Sequence, residues 1–139
     1  MHLNHRTEPT RLKEIVSIRN SLNDIFEKNI PQIWTGDFNA LTKEDYSSSQ
    51  WNEITEVRTK NNWELPQIAL TEKIKEYGFQ DTWKLKPSLP IKTCRFDTRI
   101  DYIFATDNLF LKYEVQKVLH VDDTASDHNM VMTTFVKRK

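Results

Sequence analysis

Three short polar clusters hold the residues of this chain that could do chemistry. They are Gly36-Asp37-Phe38-Asn39, Arg99-Ile100-Asp101-Tyr102-Ile103-Phe104 and Ser126-Asp127-His128-Asn129, each attached to a strand-like apolar run. Together they supply carboxylates, a carboxamide and an imidazole, the parts needed for metal-assisted hydrolysis of a phosphoester. An ionised carboxylate can align a water or a metal-bound hydroxide, and a carboxamide can donate to a phosphate oxygen. An imidazole can give or take a proton near neutral pH.

Each cluster also admits a structural reading. In an extended segment Asp37 and Asn39 point to the same side and would share the rim of a strand leaving the core through Gly36. The alternative is a turn in which both side chains bond their own backbone. A histidine base needs a third group on its other ring nitrogen. Asp101 is the best candidate for His128, because a charge in an apolar strand is expensive unless it is paired. Asp127 can bind a metal or lie in an ordinary solvated loop, the reading we give to Asp122 and Asp123. Arg99 and Arg95 can contact a phosphate or flank the strand. His2, at the end of a first strand, can be a second acid or a phosphate contact, or simply structural. His5 and His120 read as structural. Cys94 has no histidine or cysteine neighbour in sequence, so neither a thiol nucleophile nor zinc is indicated. There is no glycine-rich phosphate loop of the Walker type. The tryptophans Trp34, Trp51, Trp63 and Trp83 are core by default, although Trp51 or Trp63 could line a substrate groove.

The elements that must position these residues follow from periodicity. Leu12, Ile15, Val16, Arg19, Leu22, Ile25 and Phe26 recur every three or four residues and predict one helix from about Thr7 to Lys28. Thr7 is its cap, and Glu8 and Pro9 lie in its first turn. Residues 32–35 predict a buried strand ending at Gly36. Thr42 is placed to cap a second helix at Lys43-Glu44-Asp45. The polar stretch 47–65 reads as an irregular insertion with helical turns. A third helix is expected from Pro66 to Tyr77, with Ile68, Leu70, Ile74 and Tyr77 inward and Gly78 as its stop. Strands are expected at 93–96, 99–105, 115–121 and 130–136. Helices early and strands late indicate a mixed α/β sheet with helices packed on one face.

Size and composition limit the rest. With 139 residues and 37% hydrophobic content, one globular domain spanning 1–139 is expected. Lys plus Arg and Asp plus Glu balance at 20 each, so no global basic bias points to nucleic acid; a local basic rim would suffice. One cysteine rules out an internal disulfide. No apolar run approaches the ~20 residues of a membrane span, and no charged-apolar-small leader is evident. From these features we expect an intracellular location.

In this order the motifs resemble the signatures of the endonuclease/exonuclease/phosphatase superfamily, the DNase I-like metal-dependent phosphoesterases. The matching segments are Met1-His2-Leu3-Asn4-His5, Gly36-Asp37-Phe38-Asn39, Arg99 to Phe104 and Ser126-Asp127-His128. The resemblance implies an α+β, DNase I-like sandwich of mixed sheets flanked by helices, and a hydrolase of phosphodiesters or phosphomonoesters that uses Mg²⁺ or Mn²⁺. It implies that Asp37 orients or activates water and Asn39 holds a phosphate oxygen. His128, paired with Asp101, would be base or transition-state stabiliser, Asp127 would lie next to the metal, and His2 would contact the phosphate. Nucleic acid, a phospholipid head group or a nucleotide would all suit these residues as substrate. Only the C-terminal half of the family pattern is matched, since the early asparagine and the metal-binding glutamate have no counterpart. Glu8, Glu14 and Glu27 lie on the first helix and do not replace that glutamate. The resemblance therefore also implies a missing half or a partner chain, and, as the alternative function, a non-catalytic interaction module completed by that partner.

Overall fold

The computed structural model describes residues 1–122 and 124–139; the loop acid Asp123 lies outside them. A three-stranded antiparallel sheet holds the centre, with β3 (Asp101–Thr106) between β1 (Ile33–Asp37) and β2 (Phe79–Asp81). Side chains alternate across these strands. Trp34, Tyr102, Phe104 and Phe79 turn to one face and form a buried cluster with Ile15 of α1 (Glu8–Ser21) and Leu70 and Ile74 of α4 (Ala69–Glu76). Helices therefore cover that face. The opposite face carries Ile33 and Thr35, both exposed, and at its end Asp37 and Asp101.

The first helix departs from expectation in length and in its polar contacts. Leu22 leaves helical geometry and divides the run into α1 and a short α2 (Asn23–Glu27). Arg19 keeps its place on the apolar face because its guanidinium lies 3.7 Å from the Phe26 ring centroid. Thr7 makes no capping bond; Asn4 Oδ1 accepts from the Arg6 and Thr7 amides instead. Glu8 and Arg11 are buried. Arg11 pairs with both Glu8 and Glu64, and Glu8 also accepts the Leu70 amide at 2.7 Å. That carboxylate at the N-terminal end of α4 explains why the helix begins at Ala69 rather than Pro66.

The stretch 47–65 is not irregular. It forms α3 (Ser48–Lys60), started by a reciprocal cap in which Ser47 Oγ accepts from the Gln50 amide and Gln50 returns the bond to the Ser47 amide. Its inward residues Trp51 and Ile54 pack on a second small core of Leu41, Cys94 and Ile100. Thr42 caps nothing; only a single 3-10 turn follows it, and its hydroxyl bonds Tyr102 Oη. The segment 93–96 is a turn rather than a strand. The Thr93 and Cys94 amides both donate to the Thr98 carbonyl, which closes the loop on itself. Two unforeseen elements, β2 and α5 (Thr82–Leu85), follow the Gly78 stop, with Asp81 Oδ1 accepting from the Trp83 amide to start α5.

A second antiparallel sheet pairs β4 (Tyr113–Val121) with β5 (Met130–Lys137). Thr82 ties it to the first, donating to the Ile103 carbonyl and accepting from the Thr133 hydroxyl. His120 of β4 stacks on Trp83, and its Nδ1 bonds the Pro90 and Ile91 carbonyls. Burial lowers its pKa, which suits a neutral structural ring. The fold is thus α+β with two antiparallel sheets. Among the described residues no helix is long and apolar enough to cross a membrane.

Candidate active site

Asp37, the last residue of β1, and Asp101, the first of β3, are directly paired in the antiparallel register. Their side chains share one face and one end of the sheet. Like charges set opposite each other across two strands are unfavourable unless something neutralises them. His128 is brought to the same point by a bridge between its backbone and Cys94. The Arg95 amide donates to the Asp127 carbonyl and the Asn129 amide to that of Thr93, so the 93–99 turn grips the segment on both sides of His128. The buried Thr93 hydroxyl accepts from the Ile100 and Asp101 amides, each at 3.0 Å, and fixes the entry to β3. His128 Nδ1 then lies 2.9 Å from Asp101 Oδ2. Asp37, Asp101 and His128 each offer a ligand atom, all within 4.8 Å of one another.

The local electrostatics favour proton-holding groups. Burial pushes the Asp37 carboxyl above its ordinary value, and the Asp101 charge adds to the rise; the Asn39 amide and the two histidines pull the other way. For His128, partial burial opposes protonation, but the hydrogen bond and charge of Asp101, with the charges of Asp37 and Asp127, outweigh it and raise the pKa. With Nδ1 bonded to Asp101, Nε2 is the nitrogen left for a substrate.

Gly36 allows the chain before α1 to reach this site. The Asp37 amide donates to the Met1 carbonyl and the Leu3 amide to the Asp37 carbonyl. A Cβ on Gly36 would fall 1.9 Å from the Met1 carbonyl oxygen, and its φ of +136° is one that side-chain-bearing residues rarely adopt. His2 is thereby held beside Asp37, with Nε2 3.6 Å from Asp37 Oδ2 and an exposed ring.

Asn39 takes a left-handed φ of +49°, so of the two readings of Asp37-Phe38-Asn39 the turn holds and the extended rim does not. Its amide donates to Asp37 Oδ1 at 2.7 Å, and its Nδ2 to Asp37 Oδ2 and the Leu3 carbonyl. Asn39 thus orients the Asp37 carboxylate, and its own donors are already engaged. Two other expected residues lie elsewhere. Arg99 is 1% exposed, bonded to Asp45 and Asp81 and packed on Trp83 and Tyr102, so its guanidinium is not free for a phosphate. The Asp127 carboxylate is exposed, pairs with Arg95 at 3.5 Å, and is outside the three-residue group that could hold an ion.

A cleft of about 770 Å³ adjoins the cluster, and His128, Asn39, Trp63, Phe96 and Arg95 are among the residues that line it. Trp63 therefore lines a groove, whereas Trp51 packs against Tyr46. Phe96 and Thr93 escaped the sequence reading because both sit in the segment expected to be a strand. Comparison with known protein families finds no matching family model, and comparison with curated proteins finds no match.

Proposed function

We propose that the chain is a metal-dependent phosphoesterase domain of the DNase I-like kind, corresponding to that domain's C-terminal half. The observation that carries this reading is the convergence of Asp37, Asp101 and His128 from three separate segments, with His128 Nδ1 bonded to Asp101. The donor set suits Mg²⁺ or Mn²⁺. Two carboxylates facing each other across strands are hard oxygen ligands with excess negative charge, and magnesium sites commonly use one or two carboxylates completed by water and substrate phosphate. Asp37 and Asp101 would hold the ion, which when bound neutralises charge on the phosphoryl oxygens. Asp37, steadied by two Asn39 donors, would orient the attacking water. Asp101 fixes the His128 tautomer. Protonated His128, held through Nδ1 by Asp101, would donate from Nε2 to a phosphoryl oxygen as charge grows there. His2, whose Nε2 lies 3.6 Å from Asp37 Oδ2, would make a secondary phosphate contact.

The test is Mg²⁺-dependent hydrolysis of bis(p-nitrophenyl) phosphate by this chain beside His128→Ala. Metal-dependent turnover abolished by the substitution is expected; a variant as active as the parent overturns the reading, and a folded protein with no turnover leaves the chain as the second reading has it, a module completed by another chain. A second reading is a non-catalytic module completed by another chain. Met130 and Met132, on one face of β5, and Val121, paired with Met130, are all exposed and favour it.

A further inference from the structure

Phosphoester hydrolysis alone does not explain the aromatic wall of the cleft beside the site. Trp63 follows α3, Phe96 lies in the 93–99 turn, and the two rings meet edge to face with centroids 5.1 Å apart. They are 44% and 51% exposed, whereas Phe38 and Phe104 of the core are at most 1% exposed. A single exposed ring is ordinary, but two from distant segments meeting on one cleft expose apolar surface at a place a ligand can cover. The Arg95 guanidinium lies 4.9 Å from the Phe96 ring centroid, so a flat cation joins the aromatic pair. The volume of about 770 Å³ falls in the range of small-molecule sites, and His128 lines the same cleft. The cleft is not strongly basic. Of its four acids, Glu64, Asp97 and Asp127 are paired with Arg11, Lys92 and Arg95, and Glu53 is exposed. A long duplex would require a continuous cationic track; a short strand end or a dinucleotide would not.

Building on the phosphoesterase reading, we propose that Trp63 and Phe96 form a stacking subsite for a nucleobase, making the substrate a short nucleoside phosphodiester. Bases stack on aromatic and guanidinium planes irrespective of sequence. A polyol head group has no π-face to stack on these rings, and a choline, which binds aromatic faces as a cation, would meet the Arg95 guanidinium beside Phe96.

Calorimetric binding of the dinucleotide TpT and of glycerophosphocholine, in EDTA so that neither is hydrolysed, tests the subsite on the full chain. TpT is expected to bind at least tenfold more tightly. Trp63→Ala and Phe96→Ala should each weaken TpT roughly tenfold, with Trp63→Phe restoring most of the loss. Both rings are half-exposed, so the variants should fold, and circular dichroism checks this. Equal affinity for the two probes, no binding of either, or alanine variants that bind like the parent overturns the subsite. Bis(p-nitrophenyl) phosphate hydrolysis by the same preparation separates the two claims. Turnover without base preference sinks the subsite alone, and base preference without turnover sinks the phosphoesterase reading alone.

Discussion

Two groups of charged side chains stand close together in this molecule and behave differently. Around Arg99, the Asp45 and Asp81 carboxylates meet a guanidinium that is almost wholly buried, with Trp83 and Tyr102 against its faces. Lys84 reaches Asp45 as well. Every charge there has an opposite partner. Around His128, where β3 begins two residues after Arg99, Asp37 and Asp101 face each other, with His128 bonded to Asp101 and the exposed His2 ring beside Asp37, and the group borders an open cleft. A buried, balanced network holds elements in place, whereas a half-buried group with surplus negative charge has capacity left for a cation and a substrate. Arg99 and Asp101 share a six-residue motif, yet one belongs to each group.

The largest effect should come from breaking the balanced group. Arg99→Met leaves two carboxylates buried without their main partner and should cost about 3–5 kcal/mol of stability, read from urea unfolding. A folded, near-normal Arg99→Met with lost hydrolysis would instead move Arg99 into the site and erase the contrast. In the unbalanced group, Asp37→Ala should lower phosphodiester turnover roughly a hundredfold or more while costing little stability. Loss of folding instead would make both groups structural. Metal should act only on the second group. Saturating Mg²⁺, at about one hundred times its Kd, should stabilise the protein by about 2.7 kcal/mol in thermal unfolding, and Asp37→Asn should abolish most of that gain. If Mg²⁺ stabilised parent and variant alike, the ion would sit elsewhere.

The smallest effect sharpens the electrostatics. In metal-free protein, an NMR titration of the His128 ring should give a pKa above the ordinary 6.5, and Asp101→Asn should bring it down. The folded-state pKa is raised above the unfolded one. The His128–Asp101 interaction therefore contributes its full stability below the unfolded pKa and loses it as pH rises through the folded pKa. A ring that titrates at or below 6.5 would mean that burial outweighs Asp101, and the carboxylates would then not hold a protonated imidazole.

Much of this was legible from local pattern. The periodic run from Leu12, the apolar strands and the Gly78 stop need only neighbouring residues to specify them, and the structure has elements at each place. The pairing of His128 with Asp101 was suggested by cost, because an acid in a strand so apolar needs a partner. The helix over 48–60 was signalled by Ser47 and Gln50, a short capping pattern masked by a polar sequence. Less legible was the turn at 93–99. Thr93, Cys94 and Phe96 suit a strand by composition, and only the bonds to Thr98 and to the His128 segment make them a turn that presents Phe96 to the cleft.

By itself the sequence determined the inventory: which carboxylates and which imidazoles exist, and most of the runs that would form strands and helices. Only the tertiary structure decided which charge meets which. Strand register set Asp37 opposite Asp101, burial among Asp45, Asp81 and Trp83 took Arg99 away from any phosphate, and the loop geometry left Asp127 in solvent beside Arg95. Periodicity reflects forces between residues a few positions apart. The pairing of a charge is fixed by desolvation and distance among groups from every part of the chain, and these take their values only once the chain has closed on itself.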